Sequence, residues 1–481
     1  GPVRAMSRRA WLAALGGLTL LRLVLAAIIP LSPDETYYWL WSKHLATGYY
    51  DDAPLIALWI RAGTLIAGDG ALGIRLLSPL SAAIGTLLIW RAGEDLFPNR
   101  RAGLTAALLL NATLVLNAGA IITTPDTPLL LFWTASLWAM ARWLATGDDR
   151  WVLAAGLAAG LGFEAKYTAA LIFVAIGLFM LVTREGRAGL RRKLPWLGLL
   201  LGLLGMLPVV MWNAAHGWAS FAKQGGRSAH LDLAGMPGHL LGLVGGQMGL
   251  ATPLVLGLMA WGVWSLRRDR SAAARLVLLA VLVPAAVFVE HTLSGPVQAN
   301  WPAILYPGAA LAAGAIAPRV GRAWLRAAAA FGFLLAAIVW LQAAAAPFPL
   351  PPHRDPTAIR LAGWKALARD VARAAASRHL TVIASTDYST LSELAHDLPP
   401  RFTVVGLGPR WRFFAAPPAA PGTRVLLVEP SWLAGFAATE VAAAVPVGHA
   451  TRRRAGIAIE SYVLSTARLA PAPAALMRPK Q

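Results

Sequence analysis

Residues 151–193 read WVLAAGLAAGLGFEAKYTAALIFVAIGLFMLVTREGRAGLRRK. The apolar part, 151–182, is too long for one ordinary crossing of about 30 Å of hydrocarbon and is interrupted by Gly160, Gly162 and the polar group Glu164, Lys166, Tyr167. Read as one span, it places Arg184, Arg187, Arg191, Arg192 and Lys193 on the outer side; read as two short helices turning around Glu164–Tyr167, it returns them to the inner side. The positive-inside rule selects the second reading.

The same parity runs through the rest of the chain. Apolar segments lie at 11–31, 71–90, 103–122, 128–145, 195–212, 240–264, 275–290, 300–317 and 323–345. With Met6–Arg9 inside, the groups Arg91, Arg100, Arg101, then Arg142 and Arg150, then Arg267, Arg268, Arg270, and finally Arg319 and Arg322 all fall inside. The expectation is a polytopic α-helical membrane protein with eleven transmembrane helices, N-terminus in and C-terminus out. The five residues before Met6 read as an expression remnant, and the first apolar stretch, lacking a small-residue cleavage site, reads as a retained helix. Two short helices turning at a polar group require a protein-lined cavity, since polar backbone cannot face lipid.

Composition supports a membrane chain. Of 481 residues, 57% are hydrophobic and 14% charged, far below the roughly 25% charge of soluble domains. The net charge of +20 would suggest nucleic acid in a soluble protein; here the basic residues cluster between apolar segments, so no nucleic-acid partner is expected. There is no cysteine, which excludes disulfides, thiolate nucleophiles and cysteine-bound metal. From about residue 347 the unbroken apolar character ends. Short runs at Thr381–Ser385, Phe402–Gly406 and Val425–Val428 suit strands, and 357–378 and 389–398 have helical patterning. Two domains are therefore expected: a transmembrane catalytic domain, 1–346, and a soluble α/β domain, 347–481, on the outer side.

The outer side carries the candidate chemistry. Ser32-Pro33-Asp34-Glu35-Thr36 opens an amphipathic stretch, 35–47, suited to the membrane surface. Adjacent carboxylates there can accept a proton, orient a sugar or hold a cation; alternatively they cap the helix and favour its first turn. Gly48-Tyr49-Tyr50-Asp51-Asp52-Ala53-Pro54 leads into a second surface helix, 54–67, and offers either a sugar-facing pair of tyrosines with two aspartates or a turn before proline. Thr124-Pro125-Asp126-Thr127-Pro128 sets a lone carboxylate between two apolar helices, costly near hydrocarbon unless used, yet also readable as a cap. Lys166 is the lysine inside the spans, suited to a lipid-borne phosphate or to a pairing with Glu164. Outward loops add Asn213, His216, Lys223, Gln224 and Arg227, then His291, Gln298, Asn300 and Trp301. No histidine pair has a metal-binding spacing.

In this order the motifs, with Gly160-Leu-Gly-Phe-Glu-Ala-Lys166-Tyr167 and Asn213-Ala-Ala-His216-Gly-Trp218, resemble the ArnT-like branch of the dolichyl-phosphate-mannose protein mannosyltransferase superfamily, membrane glycosyltransferases of the GT-C fold and of the glycosyltransferase 39/83 type. The resemblance covers roughly residues 30–310 and only loosely the tail, through Tyr388–Leu398. It implies a polyprenyl-phosphate sugar donor, a lipid, glycan or protein acceptor of the envelope, and an active site facing the periplasm across the bacterial inner membrane. It implies catalytic roles for Asp34 and Asp126, donor-phosphate contacts from Lys166 and Arg227, and substrate contacts from Glu35, Tyr49, Tyr50, Asp51, Asp52, Glu164, Tyr167, His216, His291 and Asn300. A divalent cation, magnesium or manganese, at Asp34 and Asp126 is the cofactor expectation, and the protein is expected to act as a monomer among membrane lipids. Relatives acting on lipid A carry a lysine just before the paired prolines of the first loop; this chain has Asp52-Ala53-Pro54, which weakens aminoarabinose transfer in particular. The rival readings are a transporter or flippase of a polyprenyl-linked intermediate, and a non-enzymatic envelope assembly protein.

Overall fold

The structure, a computed structural model, describes residues 7–98, 101–226, 230–434, 440–471 and 475–477; Met6, Arg100 and Arg227 lie outside the described residues. By its contacts the chain divides into two compact units. The first comprises residues up to Ala26, Asp51–Ile56 and Arg75–Val339; the second comprises Ala27–Tyr50, Ala57–Ile74 and the chain from Trp340 onward. The second unit thus contains much of the first outward loop as well as the tail.

The first unit is helical. Among the described residues five helices are long and apolar enough to cross a membrane: Arg8–Ile28, Ala71–Leu96, Lys193–Ala215, Ala272–His291 and Arg322–Ala345. A sixth is added if Met236–Ala251 and Pro253–Leu266, bent by 109° at Thr252, form one broken span. The expectation of eleven spans is corrected to five or six. Hydropathy counts apolar residues, whereas a span also needs an unbroken helix. The segment 103–122 is two short helices, Ala102–Asn111 and Leu114–Gly119, separated where Thr113 turns extended and caps the second by accepting from Leu116 N–H. The segment 300–317 begins as a 3₁₀ turn, Trp301–Leu305, before the helix Tyr306–Ala315. Asp126–Thr146 is long enough, but Asp126, Arg142 and its tryptophans dilute its apolar character.

The first helix, Arg8–Ile28, is inside out compared with a soluble helix. Leu12, Leu20, Leu21, Val24 and Ile28 are exposed, while Arg22 is fully buried. Arg22 donates from Nη1 to Asn111 Oδ1 at 3.0 Å and from Nη2 to Asn117 Oδ1 at 2.7 Å. An apolar exterior with polar groups bonded inside is what a lipid solvent selects. The main core of this unit is built from Leu77–Leu96, Ala102–Asn111, Asp126–Thr146, Ala272–His291 and Tyr306–Ala315.

The segment 151–182 breaks at Lys166 alone. The helix Arg150–Ala165 runs straight through Gly160 and Gly162, and the chain then turns extended at Lys166 (φ −162°, ψ 139°) before the 3₁₀ turn Tyr167–Ala169 and the helix Ala170–Val182. The glycines serve packing instead. A Cβ on Gly156 would lie 1.9 Å from Gly198 O, and one on Gly160 would lie 2.6 Å from Gly202 O. Gly156/Gly160 and Gly198/Gly202 are small residues four apart on two helices, a spacing that lets backbones touch where no hydrophobic force drives helices together in lipid.

The second unit holds a six-stranded sheet, with β1 Val382–Ser385, β2 Thr403–Gly406, β3 Arg424–Pro430, β4 Val441–Arg454, β5 Ile457–Leu469 and β6 Ala475–Met477, in the order β4-β5-β3-β1-β2-β6. β1 pairs in parallel with β2 and β3; the remaining pairs are antiparallel. Helices Trp364–Ala376 and Tyr388–Asp397 pack on it, and Tyr388–Asp397 also packs against Pro33–Lys43 of the first loop. The two helices of that loop are Pro33–Lys43 and Leu55–Ala67; the first, expected at the membrane surface, is largely buried. The helix expected over 357–378 is interrupted by Gly363 (φ +84°), giving Pro356–Leu361 and Trp364–Ala376.

Candidate functional site

In the first unit the polar residues of distant segments converge. Asp126 is the first residue of Asp126–Thr146; its N-cap is Pro125, which offers no side-chain cap. The Asp126 carboxylate does not take that role either. Oδ1 accepts from Lys166 Nζ at 2.7 Å and Oδ2 from Asn300 Nδ2 at 2.6 Å. Lys166 reaches it because the extended backbone at the break turns its side chain off the helix axis. Both side chains of the pair keep 16% exposure, so the pair is neither dry nor freely solvated.

One residue on, the Tyr167 hydroxyl hydrogen-bonds the Ser220 hydroxyl at 2.8 Å, and its ring meets Phe221 edge-on at 4.9 Å. Ser220 and Phe221 belong to Ala219–Gly225, the helix that also carries Lys223 to the Asp51 carboxylate and Gln224 to the Asp51 carbonyl. Asn213 Oδ1 accepts from Phe221 N–H at 3.1 Å and ties this helix to Leu207–Ala215. Three polar pairs thus lie along this stretch: Lys166 on Asp126, the Tyr167 and Ser220 hydroxyls, and Lys223 on Asp51. Asp52 Oδ1 accepts from Ala53 N–H in the turn before Pro54.

Other expected site residues have local duties. Glu164 is buried and accepts from Val209 N–H at 3.1 Å, so it pairs with backbone and not with Lys166. His216 ends Leu207–Ala215, stacks on Trp212 at 4.1 Å and shares Nδ1 with Trp212 O. His291 ends Ala272–His291 and meets Trp301 at 5.4 Å. Arg227 lies outside the described residues.

The second unit holds Asp34 and Glu35 of the first loop. Ser32 and Glu35 form a capping box: Glu35 N–H donates to Ser32 Oγ, and Ser32 N–H donates to Glu35 Oε2 at 2.9 Å. Glu35 is thus the buried cap, and Asp34 is left to other partners, Arg360 at Oδ2 and Tyr388 at Oδ1. Tyr49 is buried, stacked on Trp41 at 4.0 Å, with its hydroxyl bonded to the Trp41 and His44 carbonyls. Tyr50 is half-buried and stacks flat on Phe413 at 4.9 Å. Arg360 and Phe413 were not legible as partners of this loop, because nothing in the local sequence links segments so far apart.

Beside the capping box, Glu393 is buried between Tyr388–Asp397 and Pro33–Lys43. Burial first, then the charges of Asp397 and Glu35, hold its carboxyl well above the ordinary 4.5. An acid raised in the folded state stays protonated while the unfolded chain ionises, so stability falls as pH rises from 4.5 toward the raised value. Glu393→Gln, which keeps the neutral shape, is expected to melt above the parent at about pH 8, with the gap closing by about pH 4. Thermal melts at the two pH values in lipid or detergent check this, and a pH-independent gap would sink it.

Among the described residues no three Asp, Glu or His side chains are grouped so as to hold a metal ion, and Asp34 and Asp126 each face a cation, Arg360 or Lys166. No reaction step is therefore routed through a metal.

A profile of the dolichyl-phosphate-mannose-protein mannosyltransferase family matches residues 51–212, the stretch that contains Asp51, Asp126 and Lys166. The chain is 28% identical over 309 residues to the lipid A galacturonosyltransferase RgtD of Rhizobium johnstonii, covering 63% of this chain and 64% of that one. It is 31% identical over 239 residues to the undecaprenyl phosphate-alpha-4-amino-4-deoxy-L-arabinose arabinosyl transferase of Pseudomonas aeruginosa, covering 44% and 41%. The matches thus span less than two thirds of either relative. In fold, the crystal structure of ArnT from Cupriavidus metallidurans bound to undecaprenyl phosphate superposes with a TM-score of 0.68 at 17% identity, covering 96% of this chain and 98% of that one. Its apo state gives 0.63. In sequence, part of the chain is thus similar to this mannosyltransferase family and to these two glycosyltransferases, and in fold nearly the whole chain is similar to ArnT.

Proposed function

We propose that the protein is an inverting glycosyltransferase that moves a sugar from a polyprenyl-phosphate donor to an envelope acceptor, a lipid or glycan, at the periplasmic face of the bacterial inner membrane. The observation that carries this reading is Lys166 held on Asp126 at the break between the helices Arg150–Ala165 and Ala170–Val182, with Asn300 on the other carboxylate oxygen. A phosphate monoester of a polyprenol leaves with its charge increased, so the reaction needs a fixed cation at the leaving oxygen more than a strong acid. Lys166 supplies that cation, and Asp126 fixes the direction of its ammonium.

The acceptor hydroxyl attacks the anomeric carbon from the face opposite the phosphate. Its oxygen forms the new bond as the carbon–oxygen bond to phosphate breaks, and that electron pair leaves on the phosphate. The proton goes to a carboxylate, for which Asp34 is our assignment. One displacement inverts the anomeric centre. The relatives named for lipid A galacturonosyl transfer and for undecaprenyl phosphate aminoarabinose transfer support a lipid-borne donor and a lipid A-type acceptor.

The test uses purified protein in lipid vesicles with undecaprenyl-phosphate galacturonate, aminoarabinose and mannose, and with lipid A or an envelope lipid extract as acceptor. Transfer of one sugar with inverted configuration, followed by mass spectrometry and NMR, is the expected result. Failure to consume any donor, with the protein folded, would overturn the reading in favour of transport.

A further inference from the structure

Asp34 lies in the first turn of the helix Pro33–Lys43, yet its carboxylate bonds side chains of the tail. Arg360, on Pro356–Leu361, donates from Nη2 to Oδ2, and Tyr388, the first residue of Tyr388–Asp397, donates from its hydroxyl to Oδ1 at 2.9 Å. Tyr388 is itself held in place. The Arg410 guanidinium lies 4.1 Å from its ring centroid and Tyr37 packs edge-on at 5.2 Å. Burial first, then the Asp34 charge, holds the Tyr388 phenol above its ordinary value, so it remains the donor in this bond.

Stability is a weak reason for such an arrangement. The Arg360 and Asp34 side chains are 48% and 29% exposed, and a pair this open contributes little to stability. What two donors on different oxygens do is fix the carboxylate plane: rotation about the Cβ–Cγ bond breaks both bonds at once. Each oxygen keeps one further lone pair, and an acceptor hydroxyl can meet the carboxylate only along those directions. The geometry points to Arg360 and Tyr388 as positioning residues for Asp34, so that the tail orients the first loop's acid. This rests on the transferase reading above, with Asp34 as proton acceptor.

Two measurements on the full chain in lipid vesicles test it. The first is independent of transfer: labelling of Asp34 by a water-soluble carbodiimide and an amine, read by peptide mass spectrometry, is expected to rise several-fold in Arg360→Gln and in Tyr388→Phe. The second is kinetic. Arg360→Gln is expected to lower kcat about 10- to 100-fold with the donor KM within about twofold, and Arg360→Lys to recover part of the loss. In an Asp34→Asn background, Arg360→Gln is expected to add no further loss, because a positioning residue acts only through its target. Unchanged labelling, or losses that add in the double variant, would overturn the inference. A parent that transfers nothing sinks the transferase reading, while the labelling still decides whether the tail holds Asp34.

Discussion

Lys166→Met is expected to lower kcat/KM for the polyprenyl-phosphate sugar by about 10²- to 10³-fold, the loss typical when one charge-stabilising group is removed from a transition state. Methionine keeps the length and apolar stem of lysine, so packing around the break changes little and the missing quantity is the charge. The effect should fall mainly on kcat, since the phosphate gains charge as the sugar departs and the cation then matters more than in the bound ground state. Lys166→Arg is not expected to restore the parent: a planar, wider guanidinium must still share the Asp126 carboxylate with Asn300, and its donors sit at different angles. Asp126→Asn should lose activity through the same contact, and the double variant should fall short of the product of the two single losses because the residues act as a unit. Steady-state kinetics in vesicles at saturating acceptor measure this. A Lys166→Met protein within about threefold of the parent would remove Lys166 from the donor-phosphate role.

How much of this site was readable before the structure can be judged residue by residue. The segment 151–182 was correctly suspected of a break, but the break lies at Lys166, and Gly160 is a packing contact at Gly202. Glycine carries both meanings, and only the facing helix tells them apart. The expected eleven spans failed for a related reason. Apolar runs such as 103–122 are interrupted by a capping threonine that hydropathy does not weigh, leaving five or six helices long enough to cross. Residue types at the site were legible, because a carboxylate or lysine next to hydrocarbon is costly without a use. Their pairing was not. Asp126 and Lys166 are 40 residues apart, Asp126 and Asn300 are 174 apart, and Asp34 and Arg360 are 326 apart. In the tail, the runs read as strands coincide with β1, β2 and the middle of β3, whereas the longest strands, β4 and β5, were not read. β4 is rich in alanine and contains Pro446, and its turn, Ala455-Gly456 with φ of +48° and +80°, lacks the Asn-Gly or Asp-Gly signal that usually marks such a hairpin.

Asp34→Asn is expected to lower kcat about 10²- to 10⁴-fold while leaving donor binding nearly unchanged. Asparagine has the same shape, and its one oxygen can still accept from Arg360 while its amide nitrogen donates to the Tyr388 oxygen, so the side chain's place is kept and its capacity to take a proton is lost. The helix it opens does not depend on it, because Ser32 and Glu35 make the cap, and Glu35→Gln should preserve that cap and with it most of the activity. The contrast between these neighbours is the useful part of the experiment. If both substitutions abolish transfer, the first loop has lost its fold and neither residue is shown to act on the proton; if Asp34→Asn alone does, the loss is chemical. A folded Asp34→Asn protein retaining more than about a tenth of the parent's kcat would show that the acceptor proton leaves by another route. Asp34→Glu then separates charge from placement: the longer arm keeps the base but pulls it out of the grip of Arg360 and Tyr388, so an activity as low as that of the asparagine variant would mean that orientation matters as much as basicity.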